Sequence, residues 1–340
     1  MKNKVKIGVI GAGRIGKLHI DNLAGRVEGA EVAAVADIFM NDEMESSLRE
    51  MGISKIYKEP EKIFEDSEID AVFICSSTNT HSEFMIKAAK AGKHIFCEKP
   101  IDSDLGRIKE ALKAVDEAGV KLQIGFVRRF DKNHTKVRNT ALSGKLGMPH
   151  TISVISRDPG LAPMDYMKVS GGIYMDMTIH DFDMVRYLSG SEVVEVSAFG
   201  NVLIEPQLKE FDDVDTTIVM LRFENGAMGV IQNSRRSGYG YDQRVEVHCE
   251  KGSVQDFNEC PDNAVISSEE GVVGEKPTWF FLERYNDAFI EEARQFVECI
   301  VKDTKPPVDG KDGYMPVLIA MAAKKSLDEK RAVKISEIPF

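Results

Sequence analysis

The 340-residue sequence predicts an α/β protein of two domains. Residues 1–125 read as an N-terminal doubly wound parallel sheet, and residues 126–340 as a C-terminal α+β domain on a large, open, mainly antiparallel sheet. Three observations carry this. The first third alternates short apolar runs with amphipathic stretches. A glycine-rich turn joins the first run to the first stretch. After about Gly125 the pattern changes to Val- and Ile-rich segments, many with alternating apolar and polar residues. The chain is long for a single core, so two domains are the default expectation.

The first element is a strand over Val5–Ile10, running straight into Gly11-Ala12-Gly13-Arg14-Ile15-Gly16. In a G-x-G-x-x-G turn each glycine has its own task. Gly11 turns the chain out of the strand, Gly13 lets the backbone approach a pyrophosphate, and Gly16 lets the next helix pack on the strand. That helix points free N–H groups and the positive end of its dipole at the phosphates. A second strand, residues 31–36, ends in Asp37, 21 residues after Gly16, where an acid accepts the ribose hydroxyls of a dinucleotide. Asp37 repels a 2′-phosphate, and Ile38, Phe39 and Met40 offer no arginine to hold one, so the expected cofactor is NAD, not NADP. The alternative is a nucleotide-free βαβ unit in which Asp37 caps a helix over 41–51.

Further strands are expected at 71–75, 94–97 and 121–126, with helices near 15–28, 41–51, 80–91 and 103–118. Continuous apolar strands separated by helices imply a parallel Rossmann sheet covered on both faces. Right-handed crossovers then place all strand C-termini at one edge, where ligands bind. Gly11, Asp37, the stretch Ser76–His81 and Glu98-Lys99-Pro100 all fall at that edge. Burial of a lysine beside a cationic cofactor favours its neutral form and lets it exchange protons. Pro100 fixes the turn that aims Lys99, with a cis bond as one option; the other reading is a surface Lys-Pro loop.

In the second domain a helix is expected at 131–143. Strands follow at 150–156, 192–204, 214–223, 227–235, 243–249 and 264–268, with Asn225-Gly226 as a hairpin turn. One helix, 173–188, interrupts them. Two more, 282–302 and 312–329, close the chain, with packing back onto the first domain as an option for these last helices. If helices cover one face of the sheet, the other is open for subunit contact. Asp176 and His180 stand i, i+4 on the 173–188 helix and so share a face, with Asp183 three residues beyond His180. Histidine suits proton removal from an alcohol near neutral pH, and a nearby carboxylate orients it. The competing reading is a buried structural Asp/His pair. A metal is not expected, because no Cys/His cluster or second imidazole lies nearby.

The net charge of −11 disfavours nonspecific binding to nucleic acid or to an anionic membrane. Five dispersed cysteines without a C-x-x-C fit free thiols in a reducing cytoplasm. No signal peptide and no bilayer-length apolar run is expected.

The chain resembles the glucose–fructose oxidoreductase / inositol dehydrogenase family over essentially its whole length, and within it the bacterial inositol 2-dehydrogenases. The resemblance rests on Gly11–Gly16, Cys75-Ser76-Ser77-Thr78-Asn79-Thr80-His81, Glu98-Lys99-Pro100 and Gly125-Phe126-Val127-Arg128-Arg129-Phe130-Asp131. It continues in Ser156-Arg157-Asp158-Pro159, Ser170-Gly171-Gly172, Asp176–Asp183 and Tyr239-Gly240-Tyr241-Asp242-Gln243-Arg244. It implies NAD-dependent oxidation of a ring hydroxyl of myo-inositol to the 2-ketone, with His180, Lys99 and Asp176 catalytic. It also implies cofactor contacts at Gly11, Gly13, Arg14, Ile15, Asp37, Ser76, Asn79, His81, Glu98 and Lys99. Substrate contacts fall on Lys99, Arg129, Asp176, His180, Tyr241 and Tyr285, and the expected assembly is a homotetramer. For His81 the alternative is a local cap of the helix it precedes. The stretch Asp158–Pro163 has fewer prolines than the family pattern, which leaves another inositol isomer or a pyranose sugar open as substrate. A non-catalytic, NAD-binding regulator of the same fold is the reading from a different class. The presence of Lys99, Asp176 and His180 argues against it.

Overall fold

The computed structural model describes residues 4–339. The chain divides into two units. One runs up to Val127 and includes Asp287–Met315, and the other comprises Arg128–Asn286 and Pro316–Pro339.

In the first unit β1 (Val5–Ile10), β2 (Ala30–Ala36), β3 (Lys55–Tyr57), β4 (Ala71–Ile74), β5 (His94–Glu98) and β6 (Leu122–Gly125) form one parallel sheet. Its order is β3-β2-β1-β4-β5-β6, so strand order reverses at β1/β4, the switch point at which such sheets bind ligands. Every residue of β4 is fully buried, which explains its uninterrupted Ala-Val-Phe-Ile run. The helices are α1 (Arg14–Gly25), α2 (Asp42–Glu50), α3 (Glu61–Glu65), α4 (His81–Lys90) and α5 (Leu105–Ala118). Asn41 caps α2 through Met44 N, so Asp37 is not its cap. Asp104 caps α5, and Gly119 ends it in the left-handed region. The short β3 and α3 lack the length for a periodic signal and escape sequence reading.

In the second unit α6 (Lys132–Ala141) leads to β7 (Pro149–Arg157). Then come α7 (Met164–Met167), α8 (Gly172–Asp176) and α9 (Ile179–Ser189). Strands β8 (Val193–Asn201), β9 (Thr216–Phe223), β10 (Met228–Ser234), β11 (Asp242–Cys249) and β12 (Gly252–Asp256) follow. After them stand a separate hairpin, β13 (Val265–Ser268) and β14 (Gly271–Gly274), and the short helix α10 (Phe281–Arg284). The helices α11 (Asn286–Lys302) and α12 (Gly310–Glu329) precede β15 (Val333–Lys334). The large sheet has the order β12-β11-β7-β10-β9-β8-β15, antiparallel except for the β10/β7 pair. Asn225-Gly226 turns β9 into β10, with Gly226 at a φ of 88°. Strict alternation in β9 buries Thr217, Val219, Leu221 and Phe223, and leaves Ile218 and Met220 exposed.

Two expected helices are broken. The 173–188 helix is α8 and α9, parted at Met177-Thr178, and the 282–302 helix is α10 and α11, parted at Tyr285. At the first break Thr178 is fully buried, and its Oγ1 donates to Asn233 Oδ1 on β10 at 2.8 Å. A tertiary hydrogen bond there overrides helix propensity. Most of α11 belongs to the first unit. Ala293, Phe296 and Val297 join the core around Phe73 and Phe96, whose rings stack at 4.4 Å.

Candidate active site

In the first unit the glycines divide their tasks as the motif requires. A Cβ at Gly11 would lie 2.6 Å from the Cys75 carbonyl oxygen, and one at Gly16 would lie 1.9 Å from the Gly11 carbonyl oxygen. At Gly13 nothing lies within 4 Å. Gly11 and Gly16 therefore serve the close approach of β1, α1 and the turn after β4, while Gly13 faces open space. Gly13 also caps α1 without any side-chain hydrogen bond, leaving the first N–H groups of the helix to an outside acceptor. This cradle fits a pyrophosphate. Arg14 is exposed and Ile15 half-buried at its rim.

Asp37 follows β2 directly. Its Oδ2 accepts from Ala12 N at 2.6 Å and its Oδ1 from Phe39 N at 2.7 Å, which ties it to the glycine turn. Each oxygen keeps a second acceptor site for a sugar hydroxyl. Ile38 and Phe39 are both largely exposed, and neither brings a cation to this edge.

Beyond β4, Ser76 Oγ and Thr80 Oγ1 share a hydrogen bond of 2.7 Å, and Asn79 is exposed on the turn between them. His81 stands at the start of α4. Its ring is 2 % exposed, with Nδ1 2.8 Å from Pro100 O and Nε2 2.9 Å from Ser76 O. Burial lowers its pKa and favours the neutral ring. The neutral ring donates from one nitrogen to one of these carbonyl oxygens, and by lying between the two His81 joins the turn bearing Ser76 to the turn bearing Lys99. Glu98 ends β5 with its carboxylate turned inward, where Oε1 accepts from His19 Nε2 at 2.8 Å. Lys99 follows, half-buried, and the Lys99–Pro100 peptide is cis.

In the second unit Asp176 ends α8 and His180 lies in the first turn of α9. The break between them corrects the expectation that one continuous helix face presents both. Asp176 Oδ1 accepts from Tyr166 Oη at 2.7 Å and Oδ2 from Arg235 Nη1 at 3.0 Å. Asp183 is 1 % exposed, and its carboxylate grips Arg129 through Nε at 2.8 Å and Nη2 at 2.7 Å. The Arg129 guanidinium also lies 5.2 Å from the Tyr187 ring. The residue expected to contact substrate is therefore held in a bidentate ion pair.

Its neighbour Arg128, not singled out from sequence, is the centre of a buried network. Arg128 Nη1 donates to Asp181 Oδ1 at 2.5 Å, and Nη2 to Ser156 Oγ at 3.2 Å and Tyr241 Oη at 3.3 Å. Asn233 Nδ2 donates to the second Asp181 oxygen at 2.7 Å. Tyr241 and Tyr285 both sit in this network, with rings edge to face at 6.1 Å. Burial holds the Tyr285 phenol at about 12. Its hydroxyl has no hydrogen-bond partner among the described residues, which leaves a ligand oxygen as a fitting one. Asn233 and Arg235 also escaped sequence reading, although a signal existed. They continue the buried register of Gly229 and Ile231 on β10, so two polar residues stand at core-facing positions.

A phosphate cradle at a sheet switch point, an acid after the second strand and a lysine after the fifth define an NAD-binding dehydrogenase of the Rossmann class. Comparison with known proteins agrees. Residues 5–126 match the family described as an oxidoreductase family with an NAD-binding Rossmann fold, and residues 134–255 match the GFO/IDH/MocA C-terminal domain. The chain is 46 % identical to a myo-inositol 2-dehydrogenase of Thermotoga maritima, covering 98 % of this chain and 99 % of that one. It is 41 % identical to an inositol 2-dehydrogenase of Rhizobium meliloti, covering 98 % and 99 %. The structure of scyllo-inositol dehydrogenase from Lactobacillus casei with bound NAD(H) and scyllo-inositol superposes with a TM-score of 0.91 at 28 % identity, covering 98 % and 100 %. The chain belongs to the GFO/IDH/MocA family of oxidoreductases.

Proposed function

We propose that this protein oxidises one ring hydroxyl of myo-inositol to the 2-ketone, with NAD as hydride acceptor. The near-full-length likeness to a myo-inositol 2-dehydrogenase carries the reading, in a chain that has Lys99, Asp176 and His180. NAD, when bound, supplies the acceptor for the hydride leaving the carbinol carbon. The remaining chemistry falls to side chains. His180 takes the hydroxyl proton as the C–H bond breaks and the carbonyl forms. Lys99 hydrogen-bonds the reacting oxygen and relays the proton, and Asp176 accepts from neighbouring hydroxyls. A cyclitol is nearly all hydroxyls, so hydrogen bonds to particular hydroxyls supply the discrimination. The α1 N-terminus holds the pyrophosphate and Asp37 the ribose, which favours NAD.

A second reading is oxidation of another isomer, scyllo-inositol. The Lactobacillus casei neighbour supports it. The expected setting is the cytoplasm, which the five free cysteines suit. Among the described residues no helix is long and apolar enough to cross a membrane. The expected assembly is a homotetramer, with the open face of the large sheet as contact surface.

The deciding experiment is NADH formation by purified protein with NAD over myo-, scyllo- and chiro-inositol, glucose, glucuronate and xylose, repeated with NADP. Turnover of myo-inositol with NAD and little with NADP supports the reading. Preference for scyllo-inositol selects the second. Silence across the panel with NAD still bound overturns both. Lys99→Met and His180→Gln are expected to lower turnover by about a thousandfold while NAD still binds.

A further inference from the structure

Within the second unit the Asp176 carboxylate is gripped from two sides. Tyr166 on α7 holds Oδ1, and Arg235, just past the end of β10, holds Oδ2. Tyr166 is 49 % exposed, whereas Arg235 is 2 % exposed. Behind Arg235 stands Asp213, whose Oδ2 lies 3.6 Å from Nη2. Asp213 Oδ1 accepts from Ile173 N at 2.8 Å, near the start of α8, the helix that ends in Asp176. Asp213 therefore braces both the helix and the arginine. The Nε and Nη2 groups of Arg235 are buried without a hydrogen-bond partner among the described residues, so its charge stays available to the acids around it. A third acid is Asp158, one residue beyond β7, whose backbone N–H donates to the carbonyl of Ser234, next to Arg235. Burial pushes the Asp158 carboxyl up to about 6. Asp176 and Asp181 add to the rise, while Arg235 and Arg128 oppose it.

An aspartate with two accepted hydrogen bonds on opposite oxygens has one rotamer, not several. Misplacement of a binding group by about 1 Å costs on the order of a hundredfold in rate. We propose that Arg235 and Tyr166 are positioning residues that clamp Asp176 in one orientation, with Arg235 the buried cation shared by Asp176, Asp213 and Asp158. The clamp sets which substrate hydroxyls Asp176 can reach. This rests on the reading of Asp176 as a substrate-binding carboxylate. A guanidinium suits the task because it offers several donors in a fixed plane, whereas a lysine offers one point charge.

The test uses full-length Tyr166→Phe, Arg235→Lys and Arg235→Gln. It has two readouts: kcat and KM for inositol and for NAD separately, and the carboxyl titration of aspartate-labelled protein without substrate, assigned with Asp158→Asn. Tyr166→Phe is expected to lower kcat/KM for inositol about tenfold and leave KM for NAD unchanged. Arg235→Gln is expected to lower it about a hundredfold, and Arg235→Lys to recover about tenfold of that loss. The Asp158 carboxyl, pushed up to about 6 by burial, is expected to move further up in Arg235→Gln and to lie between in Arg235→Lys. Inositol kinetics within about twofold of wild type in both Tyr166→Phe and Arg235→Lys overturn the proposal. If Arg235→Gln does not fold, the other two variants decide. If the wild type oxidises no inositol, the functional reading is what fails. The clamp is then judged from crystal structures: a turned Asp176 carboxylate in Tyr166→Phe and Arg235→Lys supports it, and the wild-type orientation in both overturns it.

Discussion

Gly13 and Gly16 are three residues apart in one motif, yet they answer to different demands. A side chain at Gly16 meets the backbone oxygen of Gly11 at 1.9 Å, and backbone cannot move aside as a side chain can. A side chain at Gly13 meets nothing within 4 Å, and its φ of −66° suits any residue. Gly16→Ala should therefore destabilise the fold by about 3 kcal/mol, seen in thermal or urea denaturation. Gly13→Ala should unfold like the wild type but bind NAD at least about tenfold more weakly by calorimetry, because the methyl group occupies the space of the phosphate. Equal stability loss in both variants would refute this division. The motif alone assigns these tasks by analogy; the separations show that Gly11 and Gly16 have no room for a side chain and that Gly13 has.

At the scale of elements, α8 and α9 show how a tertiary partner rewrites a local pattern. Residues 173–188 carry helical spacing throughout, but Thr178 bonds to Asn233, 55 residues further along the chain. Asn233 in turn holds Asp181, which holds Arg128, so the break is the end of a buried polar chain. Thr178→Val keeps the shape and leaves Asn233 Oδ1 without its donor. A loss of about 2 kcal/mol in chemical denaturation is expected. An unchanged midpoint would mean that the hydrogen bond does not hold the break. The same element logic explains Arg129: its partner Asp183 lies 54 residues away, so an arginine that reads as a ligand contact is found in a bidentate pair.

For the whole molecule, the large sheet leaves an apolar patch uncovered within the chain. Ile218, Met220, Met228 and Phe199 are 47 %, 48 %, 54 % and 62 % exposed on β9, β10 and β8. A patch of this kind on one sheet face fits a subunit contact. Ile218→Glu with Met220→Glu should reduce the assembled mass in light scattering while each protomer keeps its circular dichroism spectrum. An unchanged mass would mean that this patch carries no subunit contact. The α/β plan, the parallel sheet, the glycine turn and the places of Asp37 and Lys99 just after β2 and β5 were legible in the sequence, because each rests on residues within a few positions of one another, whereas the return of Asp287–Met315 to the first unit was not. Strand periodicity, turn chemistry and motif spacing are local properties, and local properties survive without coordinates. Only the tertiary structure placed α11 against Phe73 and Phe96, turned His81 onto two carbonyls and surrounded Asp176 with Tyr166 and Arg235. Those facts depend on which distant groups meet when buried polar atoms must find partners, and separation along the chain carries no record of that choice.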